Sequence, residues 1–275
     1  MAAGSGVLYG AINVLVKRID AHPFAMGAIA YLASCLVLSP FLRGLRIAPA
    51  DRVKVLTMGL VGGGLAPAFL FLGLREASAV DTSLLLTMEM VATAVLATLF
   101  LSERFRGSDL LGLLCLLAAA AAIALAAGRG GTATTPRGAL LVLAAAVAWG
   151  VDNTVSARLV GAYRPPQLIA VKGLLGGLAS LTALFVVRAP LPSPTDGLAL
   201  AAIGVVSVGV SSLLFYHALG RVGAARTSAM NIATTALVGA FGGALLLHEV
   251  LGPLHAVAVS LVLAGAFLLA RSKPS

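Results

Sequence analysis

W-G-V-D-N-T-V-S-A-R-L-V-G-A-Y-R-P-P-Q-L-I-A-V-K, residues 149–172, reads as two apolar helices meeting at Arg164-Pro165-Pro166. If both helices cross a membrane, Asp152 lies about 10 Å and Lys172 about 8 Å from the same end, at ~1.5 Å of rise per residue. Two opposite charges then share one depth. An ionisable group inside a bilayer is costly and by default marks a pathway or a site. The reading of the whole chain therefore turns on whether a membrane is there.

Composition answers that question. Hydrophobic residues make up 60% of the 275 and charged residues 11%, against about 25% charged in a soluble domain. The chain is an integral membrane protein. Its net charge of +9 is carried by basic residues scattered singly at the ends of apolar runs, which sets topology and excludes a nucleic-acid partner. Cys35 and Cys115 fall within apolar runs and read as small packing residues. The run that follows Met1 lacks a basic n-region and reads as a short retained helix, with a few native residues missing before it.

Cutting the chain where charges and prolines interrupt the apolar runs gives ten segments: 4–19, 23–42, 53–74, 82–101, 110–127, 138–159, 167–187, 197–219, 227–247 and 251–270. Most have about the 17 to 25 residues that span a bilayer. Connections are short, and the longest, the Gly- and Thr-rich 129–137, falls where a linker between halves 1–128 and 138–275 belongs. The side holding both termini carries twelve basic residues (Arg43, Arg46, Arg52, Lys54, Arg104, Arg106, Arg158, Arg164, Arg221, Arg226, Arg271, Lys273). The other side carries six (Lys17, Arg18, Arg75, Arg129, Arg137, Arg188), with Lys172 inside. Basic residues mark the cytoplasmic side, so both termini are expected there, in a bacterial cytoplasmic membrane.

The halves repeat each other weakly. Tyr9-Gly10-Ala11-Ile12-Asn13 aligns with Trp149-Gly150-Val151-Asp152-Asn153, and Ala79-Val80-Asp81-Thr82-Ser83 with Ala224-Ala225-Arg226-Thr227-Ser228. Five helices is an odd number, so the second copy enters from the opposite side. Inverted repeats of this kind build secondary transporters, with the substrate site near the midplane. The expected fold is all-α: ten transmembrane helices in two inverted five-helix repeats around a central cavity. The pairs Gly6/Gly10, Gly59/Gly63, Gly173/Gly177 and Gly239/Gly243 have small-xxx-small spacing for close helix contact. Pro67, in mid-segment, frees a backbone carbonyl and predicts a kink.

In these features the chain resembles the EamA-type transporters of the drug/metabolite transporter superfamily. The residues that carry the likeness are the W-G-x-x-N start of a repeat (Trp149, Gly150, Asn153), the loop glutamates of L-S-E-R-F (Glu103) and L-H-E-V-L (Glu249), and Gly112 and Gly265 in the closing helices. Nearly the whole chain is covered. The resemblance implies ten helices in two inverted repeats, a central cavity and alternating access, and most nearly the bacterial exporters of aromatic and other amino acids. Two departures stand out: Tyr9 where the second repeat has Trp149, and Glu89 where the family often has proline.

The candidate substrate-binding residues are Lys172, Trp149, Asp152, Asn153, Glu89, Tyr9 and Asn13. Lys172 either faces the cavity, pairing with Asp152 or receiving a substrate carboxylate, or snorkels to the interface. Glu89, the acid nearest mid-helix, binds a substrate amine, exchanges a proton for it, or hydrogen-bonds a neighbouring helix. Trp149, the one tryptophan, lies too deep for an interfacial belt and offers a wall for an aromatic or cationic group, or simply fills space. Tyr9, Asn13 and Asn153 supply hydrogen-bonding groups, or glue between helices. Tyr216 and His217 are expected at the interface. Gly209-Val210-Ser211-Ser212 only approximates a serine-protease turn, and His248, Glu249 and His255 lack zinc-helix spacing. No cofactor, metal or nucleotide motif is present, so the reading is a transporter of small molecules such as amino acids or organic cations, with protons as the candidate coupling ion and no enzymatic role.

Overall fold

A computed structural model of the chain describes residues 1–102, 107–128 and 133–271. The described residues form ten helical passes: α1 (Ala2–Leu15), extended by a 3-10 turn at Val16–Arg18, then α2 (Pro23–Leu42), α3 (Pro49–Leu74), α4 (Ala79–Leu101), α5 (Gly107–Ala127), α6 (Pro136–Leu159), α7 (Pro165–Val186), α8 (Pro194–Val222), α9 (Arg226–Leu246) and α10 (Pro253–Ala270). The nine after α1 are long and apolar enough to cross a membrane. Proline opens α2, α6, α7, α8 and α10, where its missing N–H costs nothing and its fixed φ suits a first turn. Ser78 caps α4 through Asp81 N–H, and so begins that helix at Ala79 rather than 82.

Helix contacts come in pairs related by exchange of the halves. α1 packs on α9 as α6 packs on α4. α3 packs on α7 as α8 packs on α2, and α2·α7 and α5·α10 each pair a helix with its own counterpart. In α5·α10, Gly112 and Gly265 face each other: a Cβ on either would stand 2.9 Å and 2.7 Å from the other's carbonyl oxygen. Only glycine tolerates that approach, so the closing helices touch backbone to backbone. The four small-xxx-small pairs all lie at such contacts, with α9, α7, α2 and α4 respectively.

Both third helices of the repeats are distorted alike. α3 widens to a π-helix at Met58–Leu65 and α8 at Gly204–Val210. What the structure shows near Pro67 is this widening of the preceding turns, where Ala66 N–H reaches Val61 O instead of Gly62 O. Pro67, with no N–H, gives Gly62 O no donor in the widened register either. A helix carbonyl buried in the bundle is left to be satisfied from outside its own helix.

α4 is interrupted differently. It runs Ala79–Leu85, tightens through i→i−3 bonds from Thr87 to Leu84 (3.2 Å) and Glu89 to Leu86 (2.9 Å), and resumes at Met88–Leu101. Glu89 therefore stands in the first turn of a half-helix, where the positive end of the dipole favours an acid.

Candidate functional site

Trp149 supplies the donor that Gly62 lacks. Its Nε1–H meets Gly62 O at 3.1 Å, tying α6 to the widened turn of α3. One turn on, the Asp152 carboxyl packs onto Gly62, where any Cβ would collide with it. The two contacts orient α6, and with it the polar residues that follow Trp149.

Asp152 and Lys172 form a buried ion pair, 2% and 8% exposed. Asp152 Oδ2 accepts from Lys172 Nζ, and its Oδ1 accepts from Ser156 Oγ at 3.2 Å. Ser156 in turn meets Tyr216 OH at 3.0 Å, and the Lys172 ammonium lies 5.9 Å from the Tyr216 ring centroid, within cation-π range. Lys172 thus faces inward rather than snorkelling. The expectation that Tyr216 sits at the interface is corrected: α8 continues to Val222 and carries Tyr216 inside at 2% exposure, while His217 beside it is exposed.

Glu89 lies across the same space. Asn153 Nδ2–H donates to its Oε1 at 2.9 Å, with Thr93 Oγ1 and Ser228 Oγ at 3.2 and 3.3 Å from the same nitrogen. Among the described residues no cation stands within ion-pair distance of Glu89. Two carboxylates and one ammonium leave the cluster one negative charge in excess. A buried unpaired charge is expensive, and Glu89 is the group whose charge the described residues leave unbalanced.

Tyr9 closes the wall, its ring 5.5 Å from that of Trp149 at 82°, an edge-to-face pair made by the two aligned repeat positions. Between these groups is a space of about 40 Å³, also bordered by Tyr31, Ser211, Ser212, Phe215 and Asn231. That is about the room of one water molecule. Six of the seven candidate residues therefore border one space between the halves. The seventh does not: Asn13 turns its amide to Ser83 of α4 at 3.3 Å, away from the cavity. Ser5, Tyr31 and Asn231 are the polar members that the sequence reading did not name. Each is a hydrogen-bonding side chain inside an apolar helix, the same signal that singled out Asn153.

The face opposite the termini holds a second polar cluster. Glu249 accepts from the N–H groups of Ala79 and Val80 at 2.8 Å each and pairs with Lys17 at 3.4 Å, so this loop glutamate caps the start of α4. Asp81 accepts from His255 Nε2 at 2.9 Å, and the N–H of Gly252 donates to His255 Nδ1 at 2.9 Å, which fixes the orientation of the ring. A vestibule of about 760 Å³ opens over these residues. Glu103, the other loop glutamate, lies outside the described residues, as do Arg104, Arg106, Arg129 and Lys273.

Comparison with known proteins agrees with this architecture. The model of the EamA-like transporter family matches residues 1–125 and again residues 136–271. The chain belongs to the EamA-like transporter family. A relative from Methanothermobacter thermautotrophicus, named "Uncharacterized transporter", is 28% identical over 233 residues, 82% of this chain and 66% of its own length. The chain thus spans just under two thirds of that relative. A solved structure described as "Crystal structure of protein" is similar with a TM-score of 0.73 at 19% identity, over 98% of this chain and 97% of the other, which is a likeness of fold. The two family matches fall on the two sets of five helices, and the nine long apolar helices suit a multi-pass membrane protein.

Proposed function

We propose that this transporter exports small amphipathic metabolites, aromatic amino acids among them, by alternating access across a bacterial cytoplasmic membrane, with both termini cytoplasmic. Halves 1–128 and 138–275, joined by 129–137, move against each other about the site. The observation that carries the reading is Glu89, a carboxylate with no cationic partner among the described residues, facing an aromatic wall between the halves. A substrate amine balances Glu89, and its ring lies against Trp149 and Tyr9. The substrate carboxylate takes the N–H groups that Lys172 does not spend on Asp152. Protons compete with the amine for Glu89, which couples export to proton entry.

A space of about 40 Å³ holds no such substrate, since ligand sites run to about 300 Å³ and more. The halves must part to admit it. The π segments of α3 and α8, which already depart from regular helix, are where the bend is taken up. The outer cluster of Glu249, Asp81 and His255 then stands on the release side. A second reading, export of organic cations, is favoured by the same unpaired carboxylate beside aromatic rings.

Uptake into proteoliposomes of amino acids, sugars and organic cations, with and without a pH gradient, tests the proposal. Saturable transport of aromatic amino acids, stimulated by the gradient, is expected. Transport of organic cations alone would select the second reading. Conductance without saturation, or hydrolysis without transport, would overturn both in favour of a channel or an enzyme.

A further inference from the structure

A groove of about 270 Å³ lies between α3, α4 and α6 on the face that carries both termini, away from the substrate space. Its walls are Leu96 and Phe100 of α4 and Val151 and Val155 of α6, and Lys54 and Arg158 stand at its rim. From Arg158 to Val151 the groove runs seven residues along α6, about 10 Å into the hydrocarbon at ~1.5 Å per residue. Thr154 adds no free donor, because its hydroxyl is turned to Gly150 O at 2.9 Å.

Lys54 is in an ion pair with Asp51 at 2.6 Å but keeps two N–H donors, and Arg158 gives one N–H to the carbonyl of Phe100 and is paired with no carboxylate among the described residues. We propose that the groove binds an anionic phospholipid, its phosphate held by Lys54 and Arg158 and one acyl chain lying in the apolar slot. The two features select one source. A free anion has no use for the slot and a neutral lipid none for the cations, whereas a lipid phosphate is covalently tied to a chain of the right chemistry. Basic pockets between membrane helices recognise anionic headgroups in this way. The chain would touch α6 at Val151, next to Asp152, and the headgroup would meet α3 four residues before its π segment. Membrane composition would thereby reach the two helices that orient the substrate site.

Native mass spectrometry of the full chain in detergent, titrated with phosphatidylglycerol or phosphatidylcholine of identical acyl chains, tests this. Retention of phosphatidylglycerol over phosphatidylcholine is expected, falling about fivefold for each cation removed in Lys54→Gln and Arg158→Gln. Lys54→Arg and Arg158→Lys should keep the preference, and Val155→Trp should reduce retention of both lipids by filling the slot. Equal retention of the two lipids by the unmodified chain, or a preference unchanged in the glutamine variants, would mean annular lipid only and overturn the proposal. So would a loss in Arg158→Lys as large as in Arg158→Gln, because the cap on Phe100 would then explain it.

Discussion

Gly10 of α1 lies against Thr235 and Val238 of α9, and Gly150 of α6 lies against Ala92 and Thr93 of α4. Under the alignment of Tyr9 with Trp149, this is one contact made twice. Gly63 of α3 meets Lys172 O, and Gly204 of α8 meets the Ala30 backbone, again the same contact in each half. The chemistry at these places differs. Asp152 has Ile12 as its counterpart, Lys172 has Ala30 and Glu89 has Thr234. α4 is interrupted beside Glu89, whereas α9 runs unbroken from Arg226 to Leu246. Small residues and backbone shape build the scaffold, and they serve either orientation of the repeat. Charges occupy one member of each of these symmetric pairs, so the two halves contribute unequally to the polar site.

The largest expected effect breaks the charged side of that comparison. Lys172→Ala leaves Asp152 buried without its cation and should lower stability by about 3 to 5 kcal/mol, the usual cost of removing one partner of a buried pair. Asp152→Asn combined with Lys172→Met should recover much of that loss without recovering transport. Thermal unfolding in detergent measures both, and a double variant no more stable than Lys172→Ala would contradict the pairing.

Scaffold substitutions should instead cost the same in either half. Gly10→Val and Gly150→Val each force side-chain carbon into a backbone contact, at about 1 to 3 kcal/mol. Losses differing several-fold between the two would show that the packing symmetry is not energetic. The smallest effect concerns the edge-to-face pair. Trp149→Phe strips the donor from Gly62 O and should cost about 1 to 2 kcal/mol, as an orphaned buried acceptor does. For Tyr9→Phe, which disturbs no carbonyl of α3, a smaller loss is expected in the same assay.

Much of this was legible in the sequence, for physical reasons. Apolar runs closed by prolines mark membrane helices because the bilayer admits little else, and Asp152 with Lys172 stood out because charge is rare at that depth. Glycines four apart marked the contacts for a similar reason. The inward position of Tyr216 was hidden because α8 runs on to Val222, past the segment boundary drawn at 219. The break at Leu86-Thr87 has neither proline nor glycine to announce it. Asn13 misled through the repeat itself: its alignment with Asn153 is sound, but the Glu89 that holds Asn153 is answered in α9 by Thr234, and Asn13 turns to Ser83 instead.

Glu89 carries the account, because it is the charge that the described residues leave unbalanced. The decisive measurement is counterflow of a labelled aromatic amino acid in proteoliposomes, across a range of pH, for the unmodified chain, Glu89→Gln and Thr234→Val. Loss of transport in Glu89→Gln, with the fold retained and Thr234→Val close to the unmodified rate, is the predicted result. A Glu89→Gln chain that transports at the unmodified rate with the same pH dependence would contradict it.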